Sequence, residues 1–130
     1  MASEKLGIGL IGAGRIGKVH GETIARRVPG ARLVTICDVN TAAAQALADE
    51  LGAEVSPSVE ALLQHPEVQA VVICSSTDTH APFIKLAAAA GKDIFCEKPI
   101  ATDLAVIDDA LQAVEQAGVK LMIGFNRRFD

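Results

Sequence analysis

The 130-residue chain is predicted to fold as a doubly wound parallel α/β sheet of about six strands in the order 3-2-1-4-5-6, with helices on both faces. Three observations predict it. Short apolar runs alternate with helix-period patterns from end to end, the signature of parallel strands joined by crossover helices. Residues Gly12-Ala13-Gly14-Arg15-Ile16-Gly17 directly follow the first apolar run and open the first helical pattern. Asp38 closes the second apolar run, 21 residues after Gly17.

The elements follow in order. Leu6-Gly7-Ile8-Gly9-Leu10-Ile11 reads as a buried strand over 6–11, and the pattern beyond the glycines as a helix over 15–28. Arg32-Leu33-Val34-Thr35-Ile36-Cys37 gives a strand over 32–37, followed by a helix over 41–51. A short strand at Glu54-Val55 and a helix over 58–64 lead to a strand over 70–74. A helix over 80–90 and a strand over 93–96 come next. The last helix, over 103–117, is read from one apolar stripe, Leu104, Ile107, Leu111 and Val114, with Asp103, Asp108, Asp109 and Glu115 off it. Thr102 is its expected N-cap and Gly118 its expected C′ residue. A strand over 119–123 completes the set.

Composition narrows the function classes. The 22 alanines favour closely packed helices over a bulky core, and Trp and Tyr are absent. A net charge of −4, with no basic run longer than Arg26-Arg27 or Arg127-Arg128, argues against a nucleic-acid surface. No apolar run of about 18 residues is present, and Met1-Ala2-Ser3-Glu4-Lys5 does not resemble a signal peptide. A cytoplasmic protein with no membrane partner is expected. Cys37, Cys74 and Cys96 fall at or near strand ends without C-x-x-C spacing. They read as small buried hydrophobes in a reducing compartment, and no metal site is expected.

The glycine cluster carries the first chemistry. Gly12 permits a tight turn, Gly14 lets the main chain approach a pyrophosphate, and Gly17 lets helix and strand pack closely. N–H groups at the helix start, in the turn holding Arg15 and Ile16, then face the phosphates. Asp38 can accept hydrogen bonds from ribose hydroxyls and repel a 2′-phosphate, and Val39-Asn40-Thr41 offers no basic residue to hold one. NAD is therefore expected rather than NADP, with Val39 beside the ribose. The alternative for Asp38 is an N-cap of the next helix, a role Asn40 can also fill. Residues 1–130 are read as a single dinucleotide-binding domain.

In a doubly wound sheet, ligands sit outside the carboxyl ends of the strands. Three loops there carry polar groups: Cys74-Ser75-Ser76-Thr77-Asp78-Thr79-His80, Cys96-Glu97-Lys98-Pro99, and Gly124-Phe125-Asn126-Arg127-Arg128-Phe129-Asp130. His80 either leans toward a nicotinamide or is satisfied by backbone at a helix start. Both readings stay open. His20 reads as packed inside the first helix, and His65 as exposed.

These residues together resemble the N-terminal half of the glucose–fructose oxidoreductase and inositol 2-dehydrogenase family, over essentially the whole chain. The marks are the glycine cluster, Thr77-x-x-His80, Glu97-Lys98-Pro99 and Gly124-Phe125-Asn126-Arg127-Arg128-Phe129. The resemblance implies a Rossmann fold and an NAD(P)-dependent oxidoreductase acting on polyols or sugars. It implies that Lys98 touches the substrate hydroxyl and aids proton transfer, and that Glu97 lies near the nicotinamide ribose. Ser75, Ser76, Thr77 and His80 would line the cofactor path, with Asn126 and Arg127 forming one wall beside Lys98. The Lys98–Pro99 bond stays open between cis and trans.

Family members continue into a second α/β domain, which is expected to be absent here and supplies most of the substrate pocket. Little or no turnover by this chain alone is expected. A homodimer is also expected, formed through an apolar surface that includes Ile100, Phe125 and Phe129. The second reading is a stand-alone NAD-binding or sensing module acting through a protein partner.

Overall fold

The computed structural model describes residues 5–124. Along the chain run β1 (Leu6–Ile11), α1 (Arg15–Arg27), β2 (Ala31–Cys37), α2 (Thr41–Leu51), β3 (Glu54–Val55) and α3 (Val59–Gln64). Then come β4 (Ala70–Ile73), α4 (Thr77–Ala89), β5 (Asp93–Glu97), α5 (Leu104–Ala117) and β6 (Leu121–Gly124). The strands form one parallel sheet in the predicted order, β3-β2-β1-β4-β5-β6.

β1 is central because it can be covered on both faces. Leu10 pairs with Ile36 on one side and Val72 on the other, and it is fully buried. Continuous apolar strands of this kind belong to parallel sheets sandwiched between helices. On one face Leu10 and Ile36 pack with Ile24 of α1 and Leu47 of α2. On the other, Ile73 and Cys96 pack with Leu62 of α3, Ile84 of α4 and Ala110 of α5. Gly9 leaves room for that second layer, since a Cβ there would lie 2.7 Å from a Leu62 methyl. At the sheet edge, β3 is pinned by a buried Thr35–Ser56 hydroxyl bond of 2.7 Å and by Ser56 N–H donating to Ile36 O at 2.9 Å.

Three local expectations are corrected. α4 starts at Thr77, three residues before the predicted 80. Thr79 Oγ1 donates to Ser76 O and Asp78 sits in the first turn, so the polar cluster that reads as loop in sequence stabilises a helix start. The N-cap of α5 is Asp103 rather than Thr102, its Oδ1 accepting from Ala105 N–H at 2.8 Å. The buried stripe of α5 runs through half-buried Ile107 and buried Ala110 and Val114, while Leu104 and Leu111 are 77% and 42% exposed. A small residue at 110 permits close approach to the alanine-rich α4, which turns the two leucines outward.

Gly118 does follow α5 in the left-handed conformation, φ +73°. Ile100, expected on an exposed apolar surface, is buried in the core layer with α4 and α5, because the chain doubles back over the sheet after Pro99. Phe125 and Phe129 lie outside the described residues. No helix among the described residues is long and apolar enough to cross a membrane.

Candidate functional site

The sheet order reverses between β1 and β4, and the loops leaving these strands meet at their carboxyl ends. Gly12 takes φ +106°, and its N–H donates to Cys37 O at 2.8 Å. A Cβ on Gly12 would lie 2.6 Å from the Cys74 carbonyl carbon, and one on Gly17 would lie 1.9 Å from Gly12 O. The protein itself therefore demands glycine at both positions. Gly14 differs. It has φ −78°, and a Cβ there would meet nothing within 4 Å. The turn opens onto free space at that residue.

Helix ends around this point share a second property. α2, α3 and α5 are each capped by a side chain, from Asn40, Ser58 and Asp103. α1 and α4, which begin where the sheet order reverses, have no side-chain cap. The first turn of α1 also carries no acidic residue, so its N–H groups and dipole are left for an anion. Arg15 is exposed there and Ile16 half-buried.

Asp38 is joined to this turn. Its Oδ2 accepts from Ala13 N–H at 2.6 Å and its Oδ1 from Asn40 N–H at 2.7 Å. Asn40, whose side chain accepts from Ala43 N–H, is the cap of α2, so Asp38 does not fill that role. The neighbouring Val39 is fully exposed. Between Asp38 and the β4 loop lies a cavity of about 250 Å³, with Ile11, Val39, Val59 and Phe83 as apolar walls and Ser75 and Ser76 at its polar side. That approaches the lower limit of small-molecule sites, about 300 Å³. Ser75 Oγ–H donates to Thr79 Oγ1 at 2.6 Å, which stiffens the polar side. Thr77 opens α4.

The β5 turn is the third wall. Glu97 ends the strand, Lys98 is exposed, and Lys98–Pro99 is a cis bond. Lys98 N–H donates to Gly124 O at 2.9 Å, tying the turn to β6. His80 is 2% exposed, with Nδ1 turned to Pro99 O at 2.7 Å and Nε2 to Ser75 O at 2.8 Å. Both ring nitrogens thus face backbone carbonyl oxygens, to which a ring N–H donates, so the ring is satisfied by backbone, the second of the two readings open for this residue. Asn126 and Arg127 lie outside the described residues.

One residue at this wall escapes the sequence reading. His20, taken as packed, reaches from α1 to the carboxylate of Glu97, and its ring lies 5.4 Å from that of Phe95 at 60°. A signal was available, because Gly17, Gly21 and Ile24 mark the sheet-facing stripe of α1 and His20 adjoins it. A polar ring on that stripe must find a buried partner.

The cysteines lie beneath these turns with their thiols shifted upward. Burial pushes the Cys74 thiol up to about 12, with the charges of Glu97 and Cys96 adding to the effect. Burial, then Glu97, does the same to Cys96, also to about 12. Cys37 is raised by burial and, to a lesser degree, by Asp38 and Glu60. All three are free thiols, and a raised pKa lowers the fraction present as the reactive thiolate.

Similarity to known proteins follows the same lines. The chain is 49% identical over 122 residues to an inositol 2-dehydrogenase of Rhizobium meliloti, covering 94% of this chain and 36% of that protein. It is 40% identical over 124 residues to a myo-inositol 2-dehydrogenase of Thermotoga maritima, covering 95% and 37%. Among solved structures, the scyllo-inositol dehydrogenase of Lactobacillus casei with bound NAD(H) and scyllo-inositol superposes with a TM-score of 0.90 at 36% identity, covering 98% of this chain and 38% of that one. The chain thus spans little more than a third of the length of these relatives. The family model for oxidoreductases with an NAD-binding Rossmann fold matches residues 6–125. Because that match starts at the first residue of β1 and ends one residue past β6, the chain belongs to the oxidoreductase family with the NAD-binding Rossmann fold.

Proposed function

We propose that this chain binds NAD at the carboxyl ends of β1, β2 and β4 and directs Lys98 toward an alcohol of the polyol or sugar class, as the cofactor-holding part of an inositol dehydrogenase-like oxidoreductase. The observation that carries the reading is Gly14. Nothing in the protein requires a glycine there, and the space a side chain would take lies over the uncapped start of α1. A pyrophosphate fits that combination of open space, free N–H groups and helix dipole. The apolar cavity beside Asp38 suits an adenine, and the Asp38 carboxylate suits its ribose in preference to a 2′-phosphate. Bound NAD would supply a hydride acceptor.

Lys98 would orient the alcohol and take part in moving its hydroxyl proton, while Ser75, Ser76 and Thr77 bound the path between the two ends. The inositol named for the relatives supports the substrate class. Turnover further requires the alcohol carbon to be held against the nicotinamide, positioning that can contribute about 7–11 kcal/mol. Calorimetry with NAD tests the reading. Gly14→Ala should weaken binding about ten-fold or more, or about 1.4 kcal/mol, while leaving the melting temperature unchanged. Equal affinity in the two proteins would remove the pyrophosphate from this turn.

A further inference from the structure

We propose that His20 and His80 are positioning residues that hold the Glu97–Pro99 turn against the two walls of the cofactor cleft. The proposal rests on the cofactor reading above for its purpose and on geometry for its content. Lys98 lies exposed on a turn outside regular structure, and the backbone beneath it sets the point from which its side chain reaches. Three anchors meet there. β6 takes the Lys98 N–H through Gly124 O at 2.9 Å. α1 takes the preceding side chain, His20 meeting a Glu97 carboxylate that is only 13% exposed. α4 takes the following carbonyl, His80 meeting Pro99 O at 2.7 Å.

Each histidine also belongs to a different part of the cleft. His20 sits on the helix whose uncapped first turn faces the phosphate space, and its ring is braced by Phe95. His80 joins Pro99 to Ser75, at the polar side of the cavity, with a ring that is 2% exposed. The Lys98 turn therefore shares one rigid frame with the α1 turn and with the β4 loop. With one histidine link removed, the turn would keep the β6 bond and one side-chain tether, and its unheld end would loosen. With both in place, a dinucleotide held at α1 and β4 would meet Lys98 in a fixed place.

The test uses this chain with His20→Ala, His80→Ala and the milder His20→Gln and His80→Gln. Three readouts separate positioning from folding: amide exchange at Lys98 against exchange at Leu10, binding of ADP-ribose, and the change in nicotinamide emission when NADH binds. The alanine variants should exchange the Lys98 amide at least ten times faster with Leu10 unchanged. His20→Ala should bind ADP-ribose within two-fold of the unaltered chain, and both alanine variants should lose most of the NADH emission change. The glutamine variants should recover part of both losses. Unchanged Lys98 exchange in folded alanine variants would overturn the proposal, and so would ADP-ribose binding in His20→Ala, or Leu10 protection in either variant, falling in step. Should the alanine variants fail to fold, the glutamine variants carry the comparison. Failure of these as well would make the histidines fold elements and overturn the positioning role. An unaltered chain that binds neither ADP-ribose nor NADH would instead sink the cofactor reading, leaving amide exchange to judge the tethers.

Discussion

The turn after β1 and the turn after β5 stand at opposite ends of the same cleft and are built by different means. At the first, backbone meets backbone: Gly17 is pressed against Gly12 O, five residues back, and Gly12 against the main chain of Cys74 at the end of β4. Glycine supplies both the positive φ and the close approach, and one side chain, the Asp38 carboxylate, holds the turn through Ala13 N–H. At the second, the backbone is held from outside, by His20 from 77 residues away, His80 from 19 residues away and Gly124 through its carbonyl. The first turn tolerates no added atom at two of its glycines. The second depends on contacts that exist only once α1, α4 and the sheet are assembled.

The largest effect should come from Gly17→Ala. A methyl group 1.9 Å from Gly12 O cannot be absorbed by a rotamer change, because the obstacle is backbone. Overpacking of this kind costs typically 1–3 kcal/mol and occasionally more. Here the helix must lift off the turn, so a loss of about 3 kcal/mol or more in urea unfolding is expected. A loss under about 1 kcal/mol would mean that the first turn is as adjustable as the second, and the contrast between them would fail.

What each turn is made of decides how far it can be read from residue order. Gly12, Gly14 and Gly17 announce their turn because the absence of a side chain is itself visible in residue order, and all six strands lie within two residues of their predicted bounds because their apolar runs are just as visible. The Thr79–Ser76 bond that starts α4 early and the Asp103 cap of α5 are choices among neighbouring polar residues of similar capping ability. Burial of Ile100 in place of Leu104 and Leu111 depends on how closely α5 approaches α4, a distance set by Ala110. His20 and Glu97 come together only because β1 and β5 flank β4 in the sheet. Sequence spacing holds no trace of that distance.

An intermediate effect should appear at high pH, and it belongs to the floor on which both regions rest, since Cys74 lies against Gly12 and its thiol feels Glu97. Cys74 and Cys96 lie beneath the β4 and β5 turns next to Glu97, and in the fold they keep their protons up to about 12 instead of the ordinary 9.0. Between these values the unfolded chain binds fewer protons than the folded one, so stability declines as pH rises. It is fully present below about pH 9 and is lost on the way to about pH 12. Each thiol can contribute a slope of at most about 1.4 kcal/mol per pH unit. Urea unfolding at several pH values should therefore give a falling line above pH 9, flatter in Cys74→Ala. Identical slopes in the two proteins would mean that the thiol does not feel its burial, and the floor beneath both turns would be looser than described.

The smallest effect should be at Asp38, where the two kinds of construction overlap. This carboxylate already serves the fold, with Oδ2 on Ala13 N–H and Oδ1 on Asn40 N–H. Its charge serves the choice of cofactor. Asp38→Ala removes both functions and should weaken every dinucleotide, so affinity for one of them cannot separate the two. Asp38→Asn keeps a carbonyl acceptor for one of the N–H groups and removes only the charge that opposes a 2′-phosphate. The informative quantity is therefore the ratio of NAD to NADP affinity. In the unaltered chain it should favour NAD, and in Asp38→Asn the preference should shrink by about five-fold, or about 1 kcal/mol. Salt should narrow the preference in the unaltered chain and leave Asp38→Asn nearly untouched, because partly exposed charges are screened over about 10 Å at 0.1 M. Tighter binding of NADP than of NAD by the unaltered chain would overturn the assignment. A ratio that stays the same in Asp38→Asn would return Asp38 wholly to the turn, as a residue that fixes backbone and reads nothing.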